Sequence, residues 1–293
     1  MLAHPMKMDR ITEEEWDEGL YVQPKLDGVR CTIQFDKGFN KNLDPSSDDR
    51  GKVVAYSRTG KPWLNIEHIL KDLEPFFRIQ PDTVLDGELY NHALKDDFGK
   101  IISLVRKTKP TPEDRLESAE MTQFHCYDCI LPDRMVKFAG RNLFLIRHLP
   151  TDSFPSIRLL PSFIVHDADA VQAHHKVLLS AGFEGSILRK NAIYETKRSW
   201  TLMKVKDFHD TEALITGWVE GKGKRIGTIG KFTAVDTDGN EFGMPVMDKF
   251  QYLQDNFEEM QGWVGQTATF TYFERTKANS YRHPLFKCIR NYE

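Results

Sequence analysis

The chain has 293 residues, 40% of them hydrophobic, a formal net charge of −3 and four cysteines. This is enough apolar material for a large core and a smaller one, so two domains are expected, while the nearly balanced charge excludes a globally basic nucleic-acid coat but not a local basic groove. The cysteines are too few for a disulfide scaffold, no apolar run reaches membrane-spanning length, and the start Met1-Leu-Ala-His-Pro-Met-Lys7 lacks a secretion signal, so a soluble cytoplasmic protein is expected.

Thr12 and Glu15 have the spacing of a capping box opening a short helix that Gly19 ends. Strands are predicted over Leu20 to Val22 and Arg30 to Phe35, a polar loop over Phe39 to Lys52, and a strand over Val53 to Ser57. Asn65 is placed to cap a helix carrying Ile66, Ile69, Leu70 and Leu73 on one face. Thr83 to Tyr90 reads as a strand, Phe98 to Arg106 as a helix, and Phe124 to Leu131 as a strand. The last of these contains Cys126 and Cys129, which by strand alternation face opposite ways, and no second pair completes a zinc site. Asp167 opens a helix with Val171, Val177, Leu178 and Ala181 as core positions and Gly182 as its stop. Strands follow over Gly185 to Arg189 and Trp200 to Val205.

Beyond a hinge near Lys206 to Thr211 the texture changes. Strand-like runs at Glu212 to Val219, Gly230 to Asp236, Glu241 to Pro245 and Thr267 to Phe273, with one helix over Met247 to Asn256, fit a small Greek-key barrel. Gly221, Gly223 and Gly227 have the wrong spacing for a dinucleotide loop and read as hairpin turns. The domains are expected at 1–207 and 208–293.

Charged residues fall at strand ends and turns in an order that chemistry could use. Lys25, in Gln23-Pro-Lys-Leu-Asp-Gly28, reads either as a solvated turn residue or as a functional one. Asp86-Gly87-Glu88 reads as a turn with a solvent carboxylate or as a site, and Glu184-Gly185 as a connector or a site. Lys204 and Lys206 share a strand face, where two cations repel unless they bind an anion. Two stretches are locally basic: residues 184–206 carry six Lys/Arg against two acids, and residues 99–110 carry four bases and no acid. Both permit a phosphate-binding surface.

Taken together, the motifs Lys25-Leu-Asp-Gly-Val-Arg30, Asp86-Gly-Glu88, Tyr127-Asp128, Glu184-Gly185 and Lys204-Val-Lys206 resemble, in order and spacing, those of the covalent nucleotidyltransferases. That superfamily comprises ATP-dependent DNA ligases, RNA ligases and mRNA capping enzymes. The resemblance runs through the C-terminal part, where Gly217 to Arg225 is similar to the ligases' glycine- and lysine-rich segment and Ser280 to Phe286 to their final motif. It implies an α/β (α+β) nucleotidyltransferase, or adenylation, domain followed by an all-β OB-fold domain. It also implies that Lys25 attacks the α-phosphate of ATP, releasing pyrophosphate and holding AMP as a phosphoramidate.

An ordinary lysine, with a pKa of about 10.4, is mostly protonated at neutral pH, and nearby cations disfavour that form. Lys204, Lys206 and a divalent metal are expected to act so, and to stabilise the transferring phosphoryl group. By the same resemblance, Glu88 and Glu184 hold Mg²⁺ or Mn²⁺. Arg30 and Arg58 contact ribose or a nick phosphate, and Tyr127 stacks on adenine. Arg189, Arg198, Lys222, Lys224, Arg225, Lys231 and Arg282 meet nucleic-acid phosphates.

Arg30 after the lysine motif, Leu26 within it and Glu220-Gly-Lys-Gly-Lys224 resemble DNA ligases more than RNA ligases or capping enzymes; Gly243-Met-Pro-Val246 departs from the ligase pattern. The expectation is a compact ligase of the viral or accessory bacterial kind. It would act as a monomer on nicked double-stranded DNA, with no further N-terminal DNA-binding domain. An RNA ligase, a GTP-using capping enzyme and a silent polynucleotide-binding protein are the alternatives.

Overall fold

The computed structural model describes residues 2–38, 51–205, 209–272, 274–275 and 279–290. Most of the loop expected over Phe39 to Lys52, and Lys206 itself, lie outside the described residues. The chain divides into two units, residues 1–205 and 206–293.

In the first unit the strands are β1 (Leu2–Pro5), β2 (Leu20–Lys25), β3 (Val29–Asp36), β4 (Lys52–Ser57), β5 (Val84–Tyr90), β6 (Gln123–Ile130), β7 (Ile157–Leu159), β8 (Phe163–Val165), β9 (Gly185–Arg189) and β10 (Arg198–Val205). Its helices are α1 (Glu13–Glu18), α2 (Glu67–Ile79), α3 (Phe98–Val105), α4 (Pro112–Met121), α5 (Phe138–His148) and α6 (Ala168–Ser180). The strands form two five-stranded sheets, ordered β1-β10-β9-β2-β8 and β4-β3-β5-β6-β7. Pairing is antiparallel except for β1 on β10 and β6 on β7.

Local chemistry explains several elements. The Thr12 hydroxyl accepts from the Glu15 amide at 3.3 Å while the Glu15 carboxylate accepts from the Thr12 amide at 3.0 Å, and Gly19 closes α1 at φ 91°. Asp167 caps α6 by accepting from the Ala170 amide at 2.6 Å. On α6, Val171 and Leu178 are buried but Val177 is 64% exposed, because it sits one residue, about 100° of helix, away from the core stripe. Asn65 does not cap α2: it is buried and spends its amide on the Leu104 and Asp114 carbonyls, tying α2 to α3 and α4. Ile66 takes the N-cap position with no side-chain bond.

Each sheet buries one face under helices. α2, α3 and α5 cover the second sheet, with Ile69, Leu73, Phe76 and Phe77 of α2 packed on Ile33, Val53, Ala55 and Leu85. Full burial of such side chains stabilises by about 1.5–3 kcal/mol each. α6 covers the first sheet through Val171 and Leu178, which pack with Leu20, Val22, Leu188 and Met203. The faces left over meet each other: Gln23 of the first sheet donates to the Tyr127 carbonyl of the second at 3.2 Å, and Arg189 to Asp128 at 2.8 Å.

The second unit contains β11 (His209–Glu220), β12 (Ile229–Val235), β13 (Glu241–Pro245), α7 (Phe250–Asp255), α8 (Phe257–Gln261), β14 (Thr267–Tyr272), β15 (Glu274–Arg275), β16 (Tyr281–Arg282) and β17 (Leu285–Ile289). Five strands form an antiparallel sheet ordered β13-β12-β11-β14-β17, and β15 pairs with β16. The helix expected over Met247 to Asn256 is two short helices, with Asn256 at φ −104°, ψ 13° between them. Gly243 to Pro245 is strand. The unit has its own core, with Phe232, Met244, Leu253 and Phe270 fully buried. Among the described residues no helix is long and apolar enough to cross a membrane.

Candidate active site

β2 and β3 belong to different sheets, so Lys25-Leu26-Asp27-Gly28 is not a hairpin turn but the crossing from one sheet to the other. Gly28 is not among the glycines with positive φ. A β-carbon there would lie 2.6 Å from both the Leu89 carbonyl oxygen and Glu88 Cγ, so this glycine lets the crossing press against β5.

Register fixes what Lys25 faces. Lys25 stands opposite Gly185, and the Glu184 amide donates to the Lys25 carbonyl at 3.2 Å. The Lys25 ammonium donates to the Glu184 carboxylate, which is 7% exposed. Gly185 has φ 149°, and a β-carbon on it would approach the Val205 carbonyl to 2.6 Å, so a glycine is required where β9 nears β10. Gln23 pairs with Ile187 and Ile187 with Lys204, which puts Gln23, Lys25 and half-buried Lys204 on one face of the sheet.

The facing strands carry the acids. Arg30 is opposite Glu88 and Thr32 opposite Asp86, all on the side away from the helices. Along β6, Asp128 pairs with Asp86 but Cys126 pairs with Gly87, so Tyr127 is the extra residue of a β-bulge. The bulge resets alternation, and Cys126 and Cys129 therefore both face the helix-covered core at 0% exposure, contrary to simple alternation. Burial pushes both thiols up, which suits neutral core residues.

Asp86, 1% exposed, is the hub. It accepts from Arg30 Nε at 3.0 Å and Nη2 at 2.8 Å, from the Tyr127 hydroxyl at 3.3 Å and from the Tyr194 hydroxyl at 2.6 Å. Although burial opposes charge on Arg30, the Asp86 carboxylate holds its guanidinium firmly protonated. Glu88 is pushed up to about 8, chiefly by burial; Lys25 pulls against this, whereas Asp86 and Glu184 add to it. A cation brought beside Glu88 would therefore replace its proton.

Two cavities meet at Glu88. One, of about 230 Å³, is lined by Lys25, Leu26, Asp86, Glu88, Tyr127 and Ile187 among others. The other, of about 680 Å³, is lined by Gly28, Arg30, Arg58, Lys61, Trp63, Glu88, Arg106 and Lys107. The first suits a flat, partly apolar ring with an anion at the Lys25 end; the second, with five cations to one acid, suits phosphate.

Arg189 is placed otherwise than expected. It is 4% exposed, donates to Asp128 at 2.8 Å and Gln23 at 2.5 Å, and lies 5.4 Å from the Tyr127 ring centre. Asp128 also takes a fork from Arg141 at 2.8 and 3.1 Å. Arg189 is thus part of the floor under Tyr127 and of the wall of the smaller cavity, with its guanidinium engaged by Asp128 and Gln23.

Arg58, Arg198, Lys222, Lys224 and Lys231 are exposed. Arg225 is half-buried and donates to the Val246 carbonyl at 3.0 Å, and Arg282 is half-buried on β16. Tyr194, Gln23 and Arg141 belong to none of the sequence motifs, although Tyr194 falls within the basic stretch 184–206. The basic run over residues 99–110 supplies Arg106 and Lys107 to the larger cavity. Among the described residues no group of three or more His, Cys, Asp or Glu forms a ready-made metal cage.

Residues 1–206 match the sequence profile of the ATP-dependent DNA ligase domain family. The DNA ligase of African swine fever virus is 27% identical over 226 residues, which are 74% of this chain and 48% of that protein. The chain thus spans about half the length of the curated relatives it matches. Among solved structures, a Lig E DNA ligase described as binding DNA with a minimal scaffold is similar at TM-score 0.71 and 23% identity, covering 99% of this chain and 98% of that one. The ATP-dependent DNA ligase of bacteriophage T7, solved with ATP, is similar at TM-score 0.57 and 21% identity, covering 99% and 98%. These likenesses extend through both units as likenesses of fold.

Proposed function

The chain belongs to the ATP-dependent DNA ligase domain family, and from that premise we propose that it seals nicks in duplex DNA through a lysyl-AMP intermediate. The observation that carries this reading is the meeting of Lys25, Glu88 and Tyr127 around one small cavity that opens beside a larger cationic one, with Glu184 bonded to the Lys25 ammonium.

The chemistry follows from the placement. Lys25 Nζ, having lost a proton, attacks the α-phosphorus of ATP; the N–P bond forms, the bond to the β-phosphate oxygen breaks, and pyrophosphate leaves. The 5′-phosphate of the nick then attacks the same phosphorus, the N–P bond breaks, and AMP passes to the DNA end. Attack by the 3′-hydroxyl on the 5′-phosphorus forms the phosphodiester and releases AMP. Tyr127, aimed by the bulge and tethered through its hydroxyl to Asp86, offers its ring to adenine. Lys204, on the Lys25 face, supplies charge to the α-phosphate, and Lys206 is proposed to do the same.

Mg²⁺ fits the donor set: two carboxylates, Glu88 and Glu184, would hold it together with phosphate oxygens and water, and it would neutralise charge on the triphosphate. Arg30 and Arg58 of the larger cavity would hold the nick phosphate, with Lys61, Arg106 and Lys107 beside them. The second unit we read as an OB-fold domain, a reading supported by its five-stranded sheet and by α7 and α8 preceding β14. Its exposed Lys222, Lys224 and Lys231, with Arg198 of the first unit, are proposed phosphate contacts; Arg225 and Arg282 are more enclosed candidates, whereas buried Arg189 serves Asp128 and Gln23 instead.

The test is conversion of a 5′-phosphorylated nicked duplex to full-length strand on a denaturing gel with ATP and Mg²⁺. Sealing with ATP, absent with GTP and abolished in Lys25→Ala, supports the proposal. Sealing confined to nicked RNA would make it an RNA ligase, and guanylate transfer from GTP a capping enzyme.

A further inference from the structure

Between β9 and β10 the chain runs through a segment, residues 190–197, that the sequence motifs leave unexplained, and from it Tyr194 reaches the centre of the site. Its hydroxyl donates to Asp86 Oδ2 at 2.6 Å and accepts from Arg30 Nη2 at 3.2 Å. The segment behind it is pinned to α5. The Phe138 amide and Arg141 Nη1 both donate to the Ala192 carbonyl at 3.0 Å, and the Ala139 amide to the Asn191 side chain at 3.0 Å. Arg141 also lies 5.6 Å from the centre of the Tyr194 ring. The hydroxyl is therefore presented from a fixed element.

We propose that Tyr194 is a positioning residue for strand sealing that acts through Arg30, an inference that rests on the ligase reading above. Arg30 lines the larger, cationic cavity and not the smaller one that holds Lys25 and Tyr127; Tyr194 lines neither. A flexible guanidinium held on Asp86 and on the Tyr194 oxygen is oriented before a phosphate arrives, so less order is lost on binding. The consequence is step-specific. Loss of the hydroxyl loosens Arg30 where the nick phosphate binds and leaves the chemistry at Lys25 in place.

Phenylalanine is the informative substitution. It keeps the ring and its contact with Arg141, and Asp86 keeps the two Arg30 bonds and the Tyr127 hydroxyl, so no buried acceptor is orphaned.

The experiment compares wild type, Tyr194→Phe, Arg30→Ala and the double variant of the full chain in two single-turnover assays: lysyl-AMP formation from ATP, and sealing of a nicked duplex already adenylated at its 5′ end. Loss of one hydrogen bond to a charged group predicts sealing slowed about tenfold in Tyr194→Phe, with lysyl-AMP formation within about twofold of wild type. The double variant should seal no more slowly than Arg30→Ala alone. Equal slowing of both steps would reveal a general structural role and overturn the inference, as would unchanged sealing or additive losses in the double variant. A wild type that takes no AMP from ATP would instead overturn the ligase reading, and this inference with it.

Discussion

A β-carbon on Gly28 would meet the Leu89 carbonyl at 2.6 Å, and one on Gly87 the His125 carbonyl at 2.5 Å, so these motif glycines answer to backbone crowding. Neither has a positive φ. At an uncrowded site whose φ any residue can adopt, Gly→Ala would stabilise by about 0.4–1 kcal/mol by restricting the unfolded chain. Here the sign reverses: Gly28→Ala should lose about 1–3 kcal/mol in urea unfolding, as overpacked sites do. The second unit offers a residue-level test by pH. Although burial disfavours its charge, Asp236 is held down to about 2 by donors from Asn240, Tyr281 and the Asp238 amide. Because its folded value is depressed below the ordinary 3.8, the stability it contributes is present above that value and is lost as pH falls through about 2. Thermal unfolding followed between pH 5 and 2 should show a fall that is smaller in Asp236→Asn.

The β-bulge on β6 shows how an element serves the site. One extra residue turns Tyr127 toward Asp86 and leaves both flanking cysteines in the core. Beneath it, Asp128 carries Arg141 and Arg189, all at or below 4% exposure. Removing the shared partner leaves two buried cations, so Asp128→Ala should destabilise by about 3–5 kcal/mol, measured by denaturant unfolding. α1, α6, β5 and β9 could be read from caps, glycine stops and apolar runs. α5 could not, because Phe138, Leu143, Leu145 and Ile146 mark no single face, and Leu143 and Ile146 are exposed. β1, β7 and β8, of three or four residues, are too short for a period to show. Asn65 carried a cap signal but answered to a long-range partner, as Val177 carried a core signal one residue out of phase. Of the site, the motif residues were legible through the resemblance of five collinear motifs to those of the nucleotidyltransferases, each motif being ambiguous alone, whereas Tyr194, Gln23 and Arg141 act through register and burial, which no local pattern encodes.

Across the molecule, a net charge of −3 coexists with a cationic cavity and a cluster of exposed lysines. Affinity for nicked duplex should therefore fall steeply with salt, the slope of log K against log salt being about −0.9 for each phosphate neutralised. Replacing Lys222, Lys224 and Lys231 by Ala should reduce that slope, by up to about three contacts' worth, with little change in lysyl-AMP formation. Unchanged slope and affinity, measured by fluorescence anisotropy across a salt series, would remove these lysines from the interface. The proposed chemistry turns on one bond, between Lys25 and AMP. The direct measurement is incubation with α-labelled ATP and Mg²⁺ followed by denaturing electrophoresis of wild type and Lys25→Ala. The predicted result is label on the wild type alone, discharged by nicked duplex DNA; no label from ATP, or label that persists in Lys25→Ala, would rule out Lys25 as the carrier of AMP.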